Sequence, residues 1–279
     1  MKNAFIVEHL CSTRISALNL RRHLLVMLFV LTGLCFTAGA ESIKNINLED
    51  FKLSDEATAY ALMNDEKHAY CIYADKVNMY ILGWSKDGKF AFVENRAIDG
   101  RGGNDLYFNI IDLVTDETVC RKEMIDYYDY DKAIDENYIP TYKSFEDCLK
   151  SNAEEFDRLL KENGIILKPA KFEKMPVIWV SKNNKTEEVT FKVNKTGEGK
   201  PAFVYSETLN YEIVAEKKSG GSKIIKSEEN RESYFVYPVG YIKSPYENRV
   251  AVVLTNASFV FEGSELFVEF AGCNLSVGF

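Results

Sequence analysis

The chain has 279 residues and is acidic, with 42 aspartates and glutamates against 34 lysines and arginines and a net charge of −8 at pH 7. An acidic chain repels phosphate backbones, and no basic stripe interleaved with aromatic residues offsets this charge, so the composition argues against nucleic-acid binding. The hydrophobic share of 46% is that of a globular protein with a buried core.

The N-terminus predicts a secretory signal peptide over residues 1–40. Arg21 and Arg22 precede an apolar run, which ends at Ala38-Gly39-Ala40, an A-x-A cleavage pattern. The run is shorter than the roughly 20 residues that span a bilayer, so we expect no transmembrane segment after cleavage. The true start codon stays open, because the stretch before the apolar run is long. The expected product is periplasmic or extracellular, at the cell surface, and consists of residues 41–279 as a single β-rich domain.

The first part of the mature chain predicts a lead-in and then an antiparallel meander. Residues 41–76 show no clear hydrophobic period and are assigned as the lead-in. Residues 77–122 read as four strands, and the first turn contains Asp87-Gly88, a strong hairpin signal because glycine supplies the positive φ of a tight turn. The predicted strands are residues 79–84, 90–94, 106–113 and 118–121.

The same turn lies within Gly83-x-x-x-x-Gly88-Lys89, which matches seven of the eight positions of a phosphate-binding loop. That site needs a serine or threonine after the lysine, and a helix whose N-terminus faces the phosphate. Phe90 occupies the hydroxyl position, and an alternating strand follows it. The segment therefore predicts a hairpin turn and no nucleotide binding.

An acidic, tyrosine-rich connector follows the meander. Asp126, Asp129 and Asp131 offer the carboxylate oxygens that calcium prefers. Their spacing lacks the glycine and glutamate of an EF-hand loop, so a solvated acidic loop is the default interpretation and a calcium site is the alternative. These three residues are the candidate metal ligands, with calcium as the candidate ion, and no other cofactor is predicted.

One amphipathic helix is predicted over residues 144–164. Ser144 followed by Asp147 forms a capping-box-like start, and Gly164 ends the helix. Apolar residues recur at helical spacing and predict a face that packs on a sheet. These residues are Phe145, Leu149, Ala153, Phe156 and Leu160.

Residues 173–279 predict a C-terminal β region. The turn from Ser244 to Arg249 resembles the turn from Ser85 to Lys89, with one residue inserted. Two copies do not establish a repeat array, which usually needs three or more. The predicted fold class is α+β and β-dominated, with blade-like antiparallel meanders and one packed amphipathic helix, and not a complete propeller. The predicted strands include residues 177–180, 189–193, 202–205, 211–214, 249–254 and 266–270.

Cysteine and histidine content limits the chemistry. Cys71, Cys120, Cys148 and Cys273 remain after signal cleavage, and their disulfide connectivity stays open, with buried free thiols as an alternative. Only His68 remains among the histidines, which excludes a multi-histidine metal centre. Because no G-x-S-x-G motif accompanies it, no catalytic residue is predicted.

In order and character, about half of the mature chain resembles a bacterial family of predicted secreted proteins of unknown function. The resemblance is carried by residues 81–92 (ILGWSKDGKFAF), by Asp99-Gly100, by the strand at 106–113, and by residues 249–254 followed by Phe261-Glu262-Gly263. The ending is similar to that of spirochaete members. Residues 77–122 also resemble one propeller blade of Tol-system periplasmic proteins, although Lys86 replaces the proline of the S-P-D-G-K turn. The resemblance implies an exported protein with a blade-like meander, and it implies no catalytic residues.

The sequence therefore predicts a non-enzymatic periplasmic or surface module for binding or scaffolding, with an envelope protein or glycan as the partner. Tyrosine-rich surfaces favour this interpretation because tyrosine buries a large area at low entropic cost. One alternative is a hydrolase of envelope polysaccharide that uses paired carboxylates. Another is a calcium-stabilised structural protein. The ligand and the oligomeric state stay open.

Overall fold

The computed structural model describes residues 41–54, 57, 78–98, 103–129, 138–181, 183–198, 208–260 and 263–279. All of these except Glu41 belong to one compact unit, Ser42–Phe279. The predicted signal peptide, the predicted strand 202–205, His68 and Cys71 lie outside the described residues. Within those ranges, no helix is both long enough and apolar enough to cross a membrane.

The predicted meander forms the first sheet, called sheet A. Its strands are β1 (Asn78–Trp84), β2 (Lys89–Ile98), β3 (Gly103–Asp112), β4 (Glu117–Asp129) and β5 (Ile166–Leu167), in the antiparallel order β4-β3-β2-β1-β5. The strand predicted at 118–121 is much longer, because the connector pairs with the start of β3 after an irregular stretch opposite Asp105. The acidic connector is therefore partly a strand, and the prediction of a loop there is wrong as far as Asp129.

Two helices replace the single predicted one. They are α1 (Phe145–Ser151) and α2 (Ala153–Glu162). The predicted start is confirmed, since the Asp147 amide donates to the Ser144 hydroxyl at 3.1 Å. The break falls at Asn152, whose side-chain amide donates to the Cys148 carbonyl at 2.8 Å. Asparagine favours such local bonds over a continuous helix. Gly164, at φ +65°, ends the second helix as predicted.

The lead-in is ordered by its contact with these helices. Two 3-10 helices, Ile43–Asn45 and Leu48–Phe51, bury their apolar side chains against the helix layer and sheet A. Asp157 of α2 holds the chain in place. It accepts a hydrogen bond from the Ile43 amide at 2.9 Å and one from the Ser42 hydroxyl at 2.5 Å.

The C-terminal region forms two further antiparallel sheets. Sheet B contains β6 (Phe172–Lys174), β11 (Phe235–Lys243), β12 (Arg249–Val260) and β13 (Gly263–Asn274), in the order β13-β12-β11-β6. Sheet C contains β7 (Val177–Val180), β8 (Thr186–Glu198), β9 (Thr208–Lys217) and β10 (Ser222–Glu232), in the order β10-β9-β8-β7. The predicted β-dominated α+β fold is confirmed, and the described strands form neither a closed barrel nor a complete propeller.

Sheet B is the middle layer of the structure. Val250, Val252 and Leu254 pack in the core shared with sheet C. Ala251 and Val253 pack in the core shared with sheet A. A strand buried on both faces needs apolar residues at successive positions, and all five of these residues are fully buried. The layers therefore follow the order helices, sheet A, sheet B and sheet C.

Aromatic contacts join sheet A to sheet B on one side and to the helix layer on the other. In the core between sheets A and B, the ring of Phe270 lies 4.9 Å from that of Phe90 and 4.8 Å from that of Phe92, both nearly edge-on. On the other face of sheet A, Phe108 stacks on Phe156 of α2 at 4.5 Å. Such ring pairs stabilise the packing of the layers beyond the contribution of their buried area.

The similarity between the Ser85 and Ser244 turns is a shared hydrogen-bond pattern. The Ser85 amide donates to the Lys89 carbonyl, and the Ser244 amide to the Arg249 carbonyl, both at 2.9 Å. A matching pair of bonds holds the end of the strand that follows each hairpin, β3 or β13, to the hairpin turn. These bonds run from the Leu113 amide to the Gly88 carbonyl at 3.1 Å and from the Leu275 amide to the Asn248 carbonyl at 2.7 Å.

Sheet C contains a third serine-led turn, which the sequence analysis missed. The Ser181 amide donates to the Lys185 carbonyl at 2.8 Å. The Lys185 amide donates back to the Ser181 hydroxyl at 3.3 Å, as the Lys89 amide does to the Ser85 hydroxyl at 2.8 Å. Each of the three sheets thus contains a serine-led turn with the same amide-to-carbonyl hydrogen bond, and the turns at Ser85 and Ser181 also share the bond to the serine hydroxyl.

The three described cysteines are free thiols. Cys148 and Cys273 are buried, and Cys120 is half-buried. Burial raises the pKa of Cys148 to about 12 and that of Cys273 to about 11. Buried thiols of this kind behave as small apolar side chains and are chemically inert.

Sheets A and B lie close together at Gly272, so we expect a larger side chain at this position to destabilise the fold. A Cβ atom there would lie 1.8 Å from the Leu113 carbonyl oxygen, which is backbone and cannot move aside. We expect Gly272→Ala to lower the free energy of unfolding by about 3 kcal/mol, measured by urea denaturation. Gly197→Ala is the control, because its nearest obstacle is the Asn210 side chain at 3.5 Å. Equal losses in the two variants would contradict the assigned layer contact.

Candidate functional site

The candidate calcium ligands are only partly described. Asp126 lies in β4 at φ +49°, and its amide donates to the Asp105 carboxylate at 2.7 Å. Asp129 is the last residue of β4 and pairs with Gly103. Asp131 lies outside the described residues. Among the described residues, no three histidine, cysteine, aspartate or glutamate side chains are grouped so as to hold a metal ion. The calcium site stays a prediction.

A buried carboxylate, Glu94, lies on the face of β2 that looks toward sheet B. Arg96 forms an ion pair with it at 2.7 Å, and the Asn109 amide donates to its second oxygen at 3.0 Å. Burial raises the pKa of Glu94, and the Arg96 charge opposes that rise. The Arg96 guanidinium also lies 5.1 Å from the Tyr107 ring centre and 5.2 Å from that of Phe267 on β13. Both oxygens are thus bound within the fold, and Arg96 links sheet A to sheet B.

Asp116 lies in the turn between β3 and β4 and reaches across to sheet B. Its carboxylate accepts a hydrogen bond from the Gly272 amide at 2.7 Å. Burial raises the pKa of Asp116 to about 6, against the bond from Gly272 and the nearby charges of Lys226 and Arg249, while Asp112 adds to the rise. This carboxyl group changes its charge in a pH range where ordinary aspartates stay ionised.

Arg249 fixes the same turn from the other side. Its guanidinium donates to the Leu113 carbonyl at 2.7 Å and forms an ion pair with Glu247 at 2.7 Å. The Leu113 carbonyl, which lies against Gly272 of sheet B, therefore has a charged donor as its partner. Arginine suits this position because its planar fork serves two acceptors at once.

A second group of charges joins sheet C to β13. Glu269 forms ion pairs with Arg231 and, at 3.6 Å, with Lys226, which also pairs with Glu228 at 3.0 Å. Burial alone would lower the pKa of Lys226, but Glu269 and Glu228 outweigh it and raise that pKa. These charges join sheet C to β13, as Asp116 and Arg96 join sheet A to the same strand.

The outer face of sheet C differs from these enclosed charges because it is open to solvent. Alternation along β7 buries Val177 and turns Ile178 and Val180 outward, where they are 52% and 61% exposed. On the opposite edge strand, Ile224 is 56% exposed. Ion pairs between Lys192 and Glu216 and between Lys218 and Glu188 lie on the same face.

An open basin of about 400 Å³ lies where this face meets the turns of sheet C. Lys218 binds Glu188 at 2.8 Å, and the Ser219 hydroxyl donates to Glu187 at 2.6 Å. The basin combines an aliphatic side chain with paired charges, a surface suited to contact with a polypeptide or a sugar. Its lining residues are Ile178, Lys185, Thr186, Glu187, Glu188, Lys218 and Ser219.

None of these residues was a predicted site residue. The strand Val177–Val180 was predicted with the correct bounds, but its sequence does not say which side has a covering layer. Asp116 was predicted as a turn residue, and its partner Gly272 lies 156 residues away. The sequence offers one signal for the turn beside the basin. The Ser-Lys-x-x-Lys pattern of residues 85–89 recurs at residues 181–185.

Comparison with known proteins finds no matching family model, no matching curated protein and no matching solved structure. The resemblance to the secreted-protein family and to a Tol-type blade therefore stays a prediction.

The raised pKa of Asp116 predicts an unusual pH dependence of stability. Since the folded state holds this proton up to about pH 6 and the unfolded state only to about 3.8, the folded state binds more protons in that window. Stability from this group is therefore present at low pH and is lost as the pH rises through 6. The shift corresponds to about 3 kcal/mol.

Asp116→Asn keeps an oxygen that can accept the hydrogen bond from the Gly272 amide, but it cannot ionise. We expect this variant to lose the part of the pH dependence of stability that comes from Asp116. The measurement is the free energy of unfolding from pH 4 to 7 for the wild type and the variant. Asp50→Asn, at an exposed site, is the control and should keep the wild-type slope. Parallel curves for wild type and Asp116→Asn would show that this carboxyl group titrates normally.

Proposed function

We propose that the protein is an exported, non-enzymatic module for binding or scaffolding, and that the outer face of sheet C is its contact surface. The observation that carries this proposal is the exposure of Ile178, Val180 and Ile224 by more than half on one face of one sheet. Ile178 and Val180 lie two residues apart on β7, where Ile178 lines the basin, and Ile224 lies on the opposite edge strand. Exposed apolar side chains beside a basin are typical of interaction sites.

The composition of the face supports a contact role. Interfaces combine a central apolar patch with polar groups at the rim that already have partners. Here the aliphatic side chains of β7 adjoin the ion pair between Lys218 and Glu188. Because those charges are paired within the face, covering them leaves no isolated charge without a partner.

Export is the second part of the proposal, and its support comes from sequence. The A-x-A pattern at Ala38-Gly39-Ala40 and the resemblance to secreted bacterial proteins both favour it. A periplasmic or surface location makes an envelope protein or a glycan the class of partner.

The described carboxylates favour binding over hydrolysis. Hydrolysis by a carboxylate pair needs two such groups facing each other about 5–10 Å apart across a cleft. In the basin, Glu187 and Glu188 are successive residues of one strand, and each already accepts from a neighbour. The enclosed Glu94 and Asp116 bind groups of the fold itself.

The proposal predicts that a charge on the outer face abolishes partner capture. Val180→Asp should reduce by at least about tenfold the envelope material that the tagged protein retains, because a carboxylate at the contact must be desolvated. The measurement is quantitative capture from a solubilised envelope extract. Val119→Asp is the matched control, since Val119 is a valine 43% exposed on the edge strand β4.

Both variants should unfold at the wild-type temperature, because neither side chain is buried. If both variants and the wild type retain equal amounts of envelope material, the outer face of sheet C is not the contact surface.

A further inference from the structure

We propose that a binding site for an ordered water molecule lies between sheets B and C, where the water bridges the Tyr211 hydroxyl, the Asn256 amide and the Nε–H group of Arg231. The site is separate from the outer face of sheet C and does not depend on the proposed contact role. It rests on buried polar atoms that have no hydrogen-bond partner among the described residues and that come from three strands of two sheets.

Two of the three side chains are almost wholly enclosed. Tyr211, on β9, has no exposed surface, and Asn256, on β12, is 1% exposed. In the described part of the chain, the Tyr211 hydroxyl and both polar atoms of the Asn256 amide lack a partner, and so does Nε of Arg231 on β10. Buried polar atoms are costly when they make no hydrogen bond, so folded proteins pair them with protein groups or with ordered water. These four atoms therefore indicate a bound partner.

The Asn256 side chain faces sheet C from the middle layer. Side chains alternate along a strand, and Leu254, two residues earlier on β12, packs in the core that sheets B and C share. Val236, which pairs with Asn256 on β11, belongs to the same core. The Asn256 amide therefore points into the space between the two sheets.

The strand β10 contacts sheet B on either side of Asn256. Arg231 forms an ion pair with Glu269 of β13, whose partner on β12 lies two residues before Asn256. The Ser258 hydroxyl, two residues after Asn256, donates to the Glu232 carbonyl of β10. These two contacts are about 13 Å apart along β12, because each residue of a strand advances by about 3.3 Å. The space between them is bounded at both ends by groups that cross from one sheet to the other, so it suits a small molecule.

Tyr211 enters the same space from β9. Its side chain lies in the core that sheets B and C share. Burial raises the pKa of its hydroxyl, the charges of Glu269 and Glu228 add to that rise, and the charge of Arg231 opposes it. The hydroxyl therefore lies near the ion pair of Arg231 and Glu269, which is also the contact beside Asn256.

The chemistry of these groups selects water as the ligand. Nε of Arg231 can only donate, the Asn256 amide both donates and accepts, and the Tyr211 hydroxyl can do either, so the bound molecule must accept and donate at once. The charge of Arg231 disfavours a cation at this point, and the carboxylates of Glu269 and Glu228 disfavour an anion. A neutral water molecule with about three hydrogen bonds is the usual partner of buried polar groups in such a position.

The direct test is a high-resolution crystal structure of the protein, expressed from the full chain and processed by the cell. We expect an ordered water oxygen within about 3.2 Å of both the Tyr211 hydroxyl and Nε of Arg231. If a protein group fills that position, or if no water is ordered there, the site is overturned.

The stability of Tyr211→Phe is the second test. A water-bridged hydroxyl stabilises the fold, so we expect this variant to lower the folding equilibrium constant about fivefold, measured by urea denaturation. An unbridged buried hydroxyl destabilises the fold, so an unchanged or higher constant would contradict the site. Tyr246→Phe is the control and should leave the constant unchanged, because Tyr246 is 37% exposed.

A double-mutant cycle tests whether Tyr211 and Asn256 share the same water molecule. Asn256→Leu removes both polar atoms of the amide and keeps a side chain of similar size. If one water bridges the two residues, Tyr211→Phe should lower the folding constant less in the Asn256→Leu background than in the wild type. Additive effects of the two substitutions would show that the residues do not share a ligand.

Discussion

Burial of β12 on both of its faces is the constraint from which the rest of the structure follows. Successive residues from Val250 to Leu254 are fully buried, so this strand can only lie in a middle layer. Sheets A and C are then required on its two sides. Polar groups along β13, the edge strand of the middle layer, bind the layers on both of its sides. On β13, the Gly272 amide donates a hydrogen bond to the Asp116 carboxylate, and Glu269 forms ion pairs with Lys226 and Arg231.

This arrangement explains why charged groups are enclosed without a ligand. A buried carboxylate is costly unless hydrogen bonds and a counter-charge compensate for its lost hydration. Glu94 has both, from Arg96 and Asn109. Asp116 has less compensation, since its direct partner is a neutral amide and the charges of Lys226 and Arg249 act from further away. Burial raises the pKa of both carboxyl groups, and the value of about 6 at Asp116 places a pH-sensitive contact between sheets A and B.

Local features could be predicted from the sequence, and long-range features could not. The Asp87-Gly88 turn, the Ser144 cap and the strand Val177–Val180 each depend on a few neighbouring residues. The break at Asn152 was missed because the apolar spacing of a helix continues through it. The long β4 was missed because acidic residues favour loops locally, whereas here they pair with β3. The contact surface could not be predicted either, because it depends on the order of the layers. From the sequence alone, Ile178 is indistinguishable from a core residue of the strand.

The edges and the faces of the sheets are treated differently, and this difference bears on how a partner can bind. Two of the three long edge strands are irregular: β10 has two register shifts and a positive φ at Asn230, and β4 has two register shifts and a positive φ at Asp126. The third, β13, pairs with β12 without a shift. Irregular edges resist the addition of another strand, which is how natural sheets avoid aggregation. On sheet C, the long edge strand β10 is irregular, whereas Ile178 and Val180 of β7 are exposed on the sheet face. This combination favours contact through the face over the addition of a strand at β10.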